Sequence, residues 1–544
     1  MTPDDVVNEL SKLQAKRSNW DSTWEEVADF VLPRQSNFNT KRTPGENRND
    51  RIYDSTGPLA LERFAAALES MLTPRAQKWH RLQPSDPALL KSANVKMWYE
   101  EVNGITWRAR YRPYGNYASS QHEVYLSLGA FGTGCMYVDN VLGRGIRYKA
   151  IPLAETFIDV DSYGLIDTVY RLFKLDIRQA VQAFGEDNLP KEMLEAGQKD
   201  NKREFEFIHC VKPNADYDGS KADARGQQFS STYVAKDYRA VVGEGGYNTM
   251  PYITSRYVVS PDEDYGRSPA IAMLSDLKMI NKISRDQIQI SHKLADPPLL
   301  LHDDGILGYS NSEVNMMAGG LNYGGVSQEG RQLIQPLQTG GNPAMSESLL
   351  DQRRRSVNDA FLVSLFQILV ETPEMTATEA MIRVQEKGQL LGPTISRQQS
   401  EALGPMIERE VDILARMGAL PEPPPELIEA GMDYGIEYDS PMTRMMQAEE
   451  VVGLQRSIEA MTPFIQTNPA LLNIYNAEQV MRDTNYINGV PTKWLKTEEE
   501  VAEQQAQEQE DEEAAKMLEA APMAAGAMKD TAQAQALMAK ARTI

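Results

Sequence analysis

The chain has 544 residues, a formal net charge of −21 at pH 7 and two cysteines, Cys135 and Cys210. That length exceeds one ordinary core and predicts roughly two to four structural regions. The charge excludes a surface built to grip nucleic-acid phosphates, though not a smooth wall past which DNA slides. Two cysteines cannot make a disulfide framework and read as buried thiols in a reducing compartment. No run of about 18 apolar residues occurs, so no membrane-spanning helix is expected. The acidic, amphipathic N-terminus lacks the basic flank and apolar centre of a signal peptide.

In chain order, Pro3 to Leu32 predicts a helix, with Val6, Leu10, Leu13, Trp20, Trp24, Val27 and Val31 at helical spacing and Pro33 as its stop. A polar loop leads to a second helix whose apolar face carries Leu61, Phe64, Leu68 and Met71, closed by Pro74. "NVKMWYEEVNGITWRARYR" and "NYASSQHEVYLSLGAFG" predict two more helices. From Gly132 the composition turns to Val, Ile, Tyr and Phe between Gly, Asp and Asn turns, which is strand and hairpin material. One short helix, "DIRQAVQAFG", interrupts it before strands resume.

Ser268-Pro269 then reads as a helix start and Asp296-Pro297-Pro298 as a stop. The roughly 27 residues between them would make a rod of about 40 Å. Ile280, Ile283, Ile290 and Leu294 form a narrow apolar stripe, with polar Gln287 in register. Lys278, Lys282, Arg285 and Lys293 belong to the wide polar remainder. Such a stripe suits packing against one or two neighbouring helices. Gly-rich short-strand material follows, then a second rod over 346–370. Two matched rods around a compact module suggest a shaft carrying a small head; two unrelated core helices are the alternative. Arg353, Arg354 and Arg355 form the densest basic cluster, read as ion-paired with Glu347, Asp351 and Asp359 at helical spacing, or else as a patch facing an anionic partner. Beyond Pro373 a long helix is expected to kink at Gly392-Pro393 and Gly404-Pro405. "ALPEPPPELIEAG" is a stiff connector, helical segments are expected to about Trp494, and the tail from Thr497 is acidic and solvated.

Chemical motifs are missing. There is no GxxxxGK[ST] phosphate cradle and no GxSxG. His122-Glu123 lacks a second histidine four residues on, and "DYDGSKADARG" fails the calcium-loop spacing. "GAFGTG" lies between a helix and a strand, the wrong order for a dinucleotide site. No enzyme activity, cofactor or metal is expected.

The segments "DSTGPLALERFAAALESMLTPRAQKWHRL", "GTGCMYV", "YKAIPLAETFIDVDSYGLIDTVYRLF", "YGRSPAIAMLSDLKMINK", "IQPLQ" and "MTATEAMIRVQEKGQLLGPTISRQQSEALGPMIEREVDIL" resemble, in order, the head-to-tail connector (portal) family of T7-like short-tailed bacteriophages. The resemblance implies an α+β subunit in a cyclic ring, usually of twelve copies, at one capsid vertex. It implies a wing over 1–268, stem helices over 269–295 and 346–370, a clip over 296–345 and a tunnel loop over 371–377. A long kinked helix over 378–420, a helical crown over 421–496 and an acidic tail over 497–544 complete it. DNA would be packaged and ejected through the ring. The implied partners are the terminase large subunit, tail adaptors, major capsid and scaffolding proteins, internal core proteins, and double-stranded DNA passing without sequence specificity. The implied location is the virion, after assembly in the host cytoplasm.

On that resemblance Glu371, Thr372, Pro373, Glu374, Met375 and Thr376 fall at the tunnel loop. His302, Asp303, Asp304, Tyr309 and Tyr323 fall on a clip docking surface. Lys278, Lys282, Arg285 and Lys293 would face the channel, and Ile280, Ile283, Ile290 and Leu294 would form the packing seam. The competing readings are a helical scaffold or adaptor without a DNA channel, and a hydrolase using scattered carboxylates.

Overall fold

The computed structural model describes residues 2–295 (apart from 41, 42, 44, 87 and 222), 299–301, 326–336 (apart from 328), 343–363 and 392–439, with scattered positions from 453 to 507. The fold is α+β. Two compact units are present: Met1–Ser85 with Trp98–Met442, and Asp86–Met97 with Thr443–Ile544. In the second, the described residues include a 3-10 turn at Leu89–Lys91 and helical residues 456–462.

In the first unit, helix α1 (Pro3–Val31) opens on a capping box in which the Thr2 and Asp5 side chains satisfy each other's backbone N–H groups. Helix α2 (Thr56–Leu72) buries Leu61, Phe64, Leu68 and Leu72, whereas Met71 is half-buried. Strand β1 (His80–Pro84), helix α3 (Ala93–Arg110, of which the part from Trp98 belongs to this unit) and helix α4 (Tyr117–Phe131) follow. Helix α4 is buried nearly all round, Ser120, Gln121 and Ser127 included, and is the central core helix. Its Gly129 admits α2: a Cβ there would lie 2.6 Å from Leu61 and 2.7 Å from Phe64.

Strands β2 (Thr133–Val141) and β3 (Gly145–Ile151) form the hairpin expected from Gly132 onward. Strands β4 (Thr156–Val160) and β5 (Ile166–Asp176) form the next. Helices α5 (Ile177–Phe184) and α6 (Lys191–Lys199) precede β6 (Glu204–Pro213), β7 (Phe229–Ala235), β8 (Ala240–Tyr247) and β9 (Tyr252–Arg256). The sequence reading missed α6, a short amphipathic helix between Pro190 and Asp200. The strands make one antiparallel sheet ordered β4-β5-β6-β7-β8 and another ordered β3-β2-β9.

The five-stranded sheet is covered on both faces, which is why β6 reads "FEFIHCV" without polar alternation. On one face Ile208 and Cys210 pack with Val6 and Leu10 of α1. On the other, Phe205 and Phe207 pack with Ala180 of α5 and Met193 of α6. Cys135 and Cys210 are free, buried thiols.

The first rod is two pieces, α7 (Pro269–Ala272) and α8 (Leu274–Ala295), parted at Met273. Ser268 caps the first: its Oγ accepts from Ile271 N at 3.0 Å and donates to Ala130 O at 2.7 Å. Strands β10 (Leu299–Leu301) and β11 (Ile334–Pro336) pair antiparallel. The second rod is α9 (Pro343–Ala360). The expected rod over 346–370 is interrupted rather than continuous: α9 ends at Ala360, Leu362 is left-handed at φ 60°, Val363 is helical again, and 364–370 lie outside the described residues. The left-handed residue costs about 1–2 kcal/mol. Burying Phe361 and Val363, at 0% and 1% exposure, offsets it at about 1.5–3 kcal/mol per side chain.

Helical residues 392–398 pass through a π-turn at Gln399–Leu403 into α10 (Gly404–Arg416), a local irregularity just ahead of the Gly404-Pro405 pair where a kink is expected. Helix α11 (Pro425–Glu429) and strand β12 (Tyr434–Tyr438) close the unit. Helical segments are expected over 421–496, but 434–438 is a strand. The β-forming "YGIEY" pairs with β1, His80 opposite Tyr438 and Pro84 opposite Tyr434. A strand partner some 350 positions away outweighs local propensity.

Candidate functional site: the long helices and their footing

Helices α8 and α9 lie against each other, α9 against α2 and α8 against α1. On α8, Leu277, Ile280 and Ser284 are buried at 5%, 2% and 8% exposure. From α9, Leu350 and Val357 are buried at 2% and 0%. Phe361 meets the edge of Phe64 at 6.1 Å between centroids.

Polar contacts fix the pair. Arg353 Nη1 lies 3.0 Å from Asp276 Oδ1 and joins the two helices directly. Asp54, ahead of α2, is the hub. One of its carboxylate oxygens accepts from Arg354 Nη2 at 2.6 Å and Nε at 3.1 Å, and from Ser284 Oγ at 3.3 Å. The other accepts from Thr56 N at 2.9 Å. Burial pushes the Asp54 carboxyl up, but the Thr56 and Arg354 hydrogen bonds outweigh it and hold it below the ordinary range. Asn281 bridges the neighbouring loop, accepting from Tyr53 N at 2.7 Å and donating to Arg51 O at 2.8 Å. An open groove of about 460 Å³ runs between Tyr53, Ile288, His292 and Arg354.

The four cations singled out on α8 differ in their surroundings. Lys278 Nζ is 2.6 Å from Glu26 Oε2 of α1, and the Arg285 guanidinium sits 5.7 Å from the Tyr53 ring centre. Lys282 and Lys293 are exposed. Of the apolar four, Ile280 is buried and Ile283 and Ile290 are half-buried. The side chain of Leu294 lies outside the described residues, as do His302, Asp303, Asp304, Tyr309 and Tyr323 and the whole of Glu371 to Thr376. Sequence reasoning missed Asp54, Asn281 and Ser284, small polar residues whose partners are distant in the chain. It placed Arg353 and Arg354 in ion pairs, but the main partners are Asp276 and Asp54 on other elements, with Asp351 secondary at 3.4 Å.

Helix α10 is locked onto the sheets by buried charge. Arg110 of α3 donates to Glu410 through Nε at 2.9 Å and Nη2 at 2.5 Å, and the Tyr148 hydroxyl donates to the same carboxylate at 2.5 Å. The guanidinium lies 4.5 Å over the Trp79 ring. His80 sits 3.2 Å from Arg110 Nη1. Burial, then the charges of Arg110 and Lys78, hold His80 well below its ordinary pKa, so it is a neutral acceptor. Arg409 reaches Val138 O at 3.2 Å and Asp139 at 3.1 Å, and Arg256 pairs with Glu401 at 2.9 Å. Charges this deeply buried act as register pins, because any slip leaves one unpaired.

The family model of the bacteriophage head to tail connecting protein matches residues 4–495. The portal protein of Salmonella phage epsilon15 is 28% identical over 540 residues, covering 97% of this chain and 95% of that one. The probable portal protein of Bordetella phage BPP-1 is 28% identical over 482 residues, covering 87% and 85%. A chain of the virion of a native gene transfer agent particle aligns over 80% of this chain and 95% of its own. Its TM-score of 0.33 and 12% identity are too low to carry an argument. A match running through both long helices, both sheets and α10 makes this chain a member of the bacteriophage head to tail connecting protein family.

Proposed function

We propose that the chain acts as a phage portal: copies of it form a cyclic ring at one capsid vertex, through which double-stranded DNA enters and leaves the head. The observation that carries this reading is the α8–α9 pair. Its buried seam and its Asp54–Arg354 clamp hold two adjacent helices on a rigid footing while Lys282 and Lys293 stay exposed. Such helices, repeated around an axis, make a stem whose polar faces line a channel. Exposed cations there offer phosphates weak contacts, screened by salt over about 8–10 Å, which suits passage rather than capture.

In this reading 1–268 is the wing, 269–295 and 346–370 supply the stem, 296–345 the clip and 371–377 the tunnel loop. Residues 378–420 join the wing to a crown over 421–496, and 497–544 form an acidic tail. His302, Asp303, Asp304, Tyr309 and Tyr323 would serve docking of the terminase large subunit and later of tail adaptors. Capsid, scaffolding and internal core proteins contact the outer surfaces. The chain's part is structural, and the energy for DNA movement comes from a separate motor.

Electron microscopy of the purified full chain tests this. End views should show a ring with a central opening. Native mass should be roughly 730 kDa for twelve chains of 60.9 kDa. Monomers or dimers alone at micromolar concentration would overturn the ring.

A further inference from the structure

Two hairpin tips of the first unit carry opposite charge and exposed apolar side chains. The β2–β3 turn presents Leu142 at 95% exposure. Beside it the guanidinia of Arg144 and Arg147 each lie 5.2 Å from the Tyr114 ring centre, and Arg147 donates to Tyr114 O at 2.5 Å. Arg112, also exposed, stands at the same turn, its Nη1 3.8 Å from where a Cβ on Gly145 would be. Among the described residues none of these three arginines is ion-paired. The acid opposite Arg147 on β2, Asp139, is engaged by Arg409. In a chain of net charge −21, this is a local concentration of uncompensated positive charge.

The β4–β5 turn is its counterpart. Tyr163 and Leu165 are 88% and 58% exposed. Asp159, Asp161 and Asp167 cluster there. Burial, with Asp161 and Asp159 adding to it, pushes the Asp167 carboxyl up. Lys16 stands beside them, 3.6 Å from Asp159 but 2.5 Å from Asp264, and Arg256, which also reaches this turn, is paired with Glu401. Asp161 holds the turn itself, accepting from Tyr163 N and Leu165 N at 2.8 Å each.

The two tips sit at opposite ends of β2. Arg256 pairs with Thr133, the first residue of β2, and its Nη2 donates to Gly164 O in the acidic turn at 2.8 Å. The basic turn follows Val141, the last residue of β2. Nine strand residues at about 3.3 Å each separate them by roughly 30 Å. A subunit with a basic, apolar-tipped end and an acidic, apolar-tipped end is complementary to its own copy head to tail, not face to face. That is a heterologous contact, the kind that generates a ring when its rotation closes.

We propose that the β2–β3 turn of one copy docks on the β4–β5 turn of the next, Arg144 and Arg147 against Asp159 and Asp167, and Leu142 against Tyr163 and Leu165. This rests on the ring reading above and names a contact within it. Exposed arginine and tyrosine beside apolar tips have the composition of interface anchors.

The test uses the full chain in four forms, sized by native mass and sedimentation: wild type, Arg144→Glu with Arg147→Glu, Asp159→Lys with Asp167→Lys, and all four changes together. Asp161 is left alone because it shapes its turn. Thermal melts check that each form is folded. Wild type should form rings, each one-sided reversal should need at least tenfold more protein to assemble, and the fourfold form should recover. Recovery is what a meeting of the two tips requires, and the cysteine pair below locates the contact. One-sided variants that assemble like wild type, or a folded fourfold form that does not recover, would overturn the pairing while leaving the ring standing. A wild type that never forms rings would overturn both. As a second measurement, Leu142→Cys with Leu165→Cys should give, on oxidation, a ladder of covalent multimers. Cys135 and Cys210 are buried and stay out of that chemistry. A ladder absent from assembled rings would also overturn the pairing.

Discussion

Arg110 and Glu410 stand 300 residues apart in the chain and form an ion pair with both side chains at 0% exposure. The pair ties α3 to α10, and Tyr148 joins it from β3. Removing one partner strands the other charge in the core. Glu410→Leu should cost about 3–5 kcal/mol in urea unfolding. Arg110→Met combined with Glu410→Leu should cost less than the sum of the singles, because no charge is then left unpaired. Additive losses would show that the two residues act independently.

The Asp54 clamp predicts an acid limb. Its folded-state pKa lies below the ordinary carboxylate value of about 3.9, so as pH falls the unfolded chain takes up the proton first. The contribution is complete above that ordinary value and fades as pH drops through the folded one. Asp54→Asn should cost about 1–3 kcal/mol at pH 7 and make unfolding less steeply dependent on pH below 4. A variant with the wild-type acid profile would show that Asp54 carries none of it.

Ile280 and Lys282 are two positions apart and should behave oppositely. Ile280→Asp places a charge in the buried seam and should cost at least about 3 kcal/mol, with loss of assembly. Lys282→Ala changes an exposed position and should stay within about 0.5 kcal/mol of wild type, altering at most the retention of DNA. Reversed phenotypes would turn the helix round.

Gly132 ends α4 at φ +81°, and a Cβ there would lie 2.3 Å from Gly266 O. Gly143 has φ +74° with open space around it. Gly132→Ala should therefore destabilise by more than about 2 kcal/mol, and Gly143→Ala only by the backbone strain of about 1 kcal/mol. Equal thermal melts for the two would mean the close approach of Gly132 to Gly266 is not needed.

What the sequence determined by itself was local. The 3–4 spacing from Val6 to Val31 marked α1, Ser268-Pro269 marked the entry to the first rod, and Asp296-Pro297-Pro298 marked its stop after Ala295, while the π-turn that precedes Gly404-Pro405 was not foreseen as such. Those marks follow from backbone chemistry within a few residues. The order of segments also carried the family resemblance, and the family match agrees with it. Only the tertiary structure decided the rest. β1 and β12 find each other across the chain, Arg353 and Arg354 turn to Asp276 and Asp54, and Lys278 and Arg285 are engaged by α1 and Tyr53 while Lys282 has no such partner among the described residues. A helical pattern tells which residues share a face but not what lies across from that face. Partners hundreds of positions away are chosen by packing, where an unpaired buried charge or polar group costs more than any local propensity supplies.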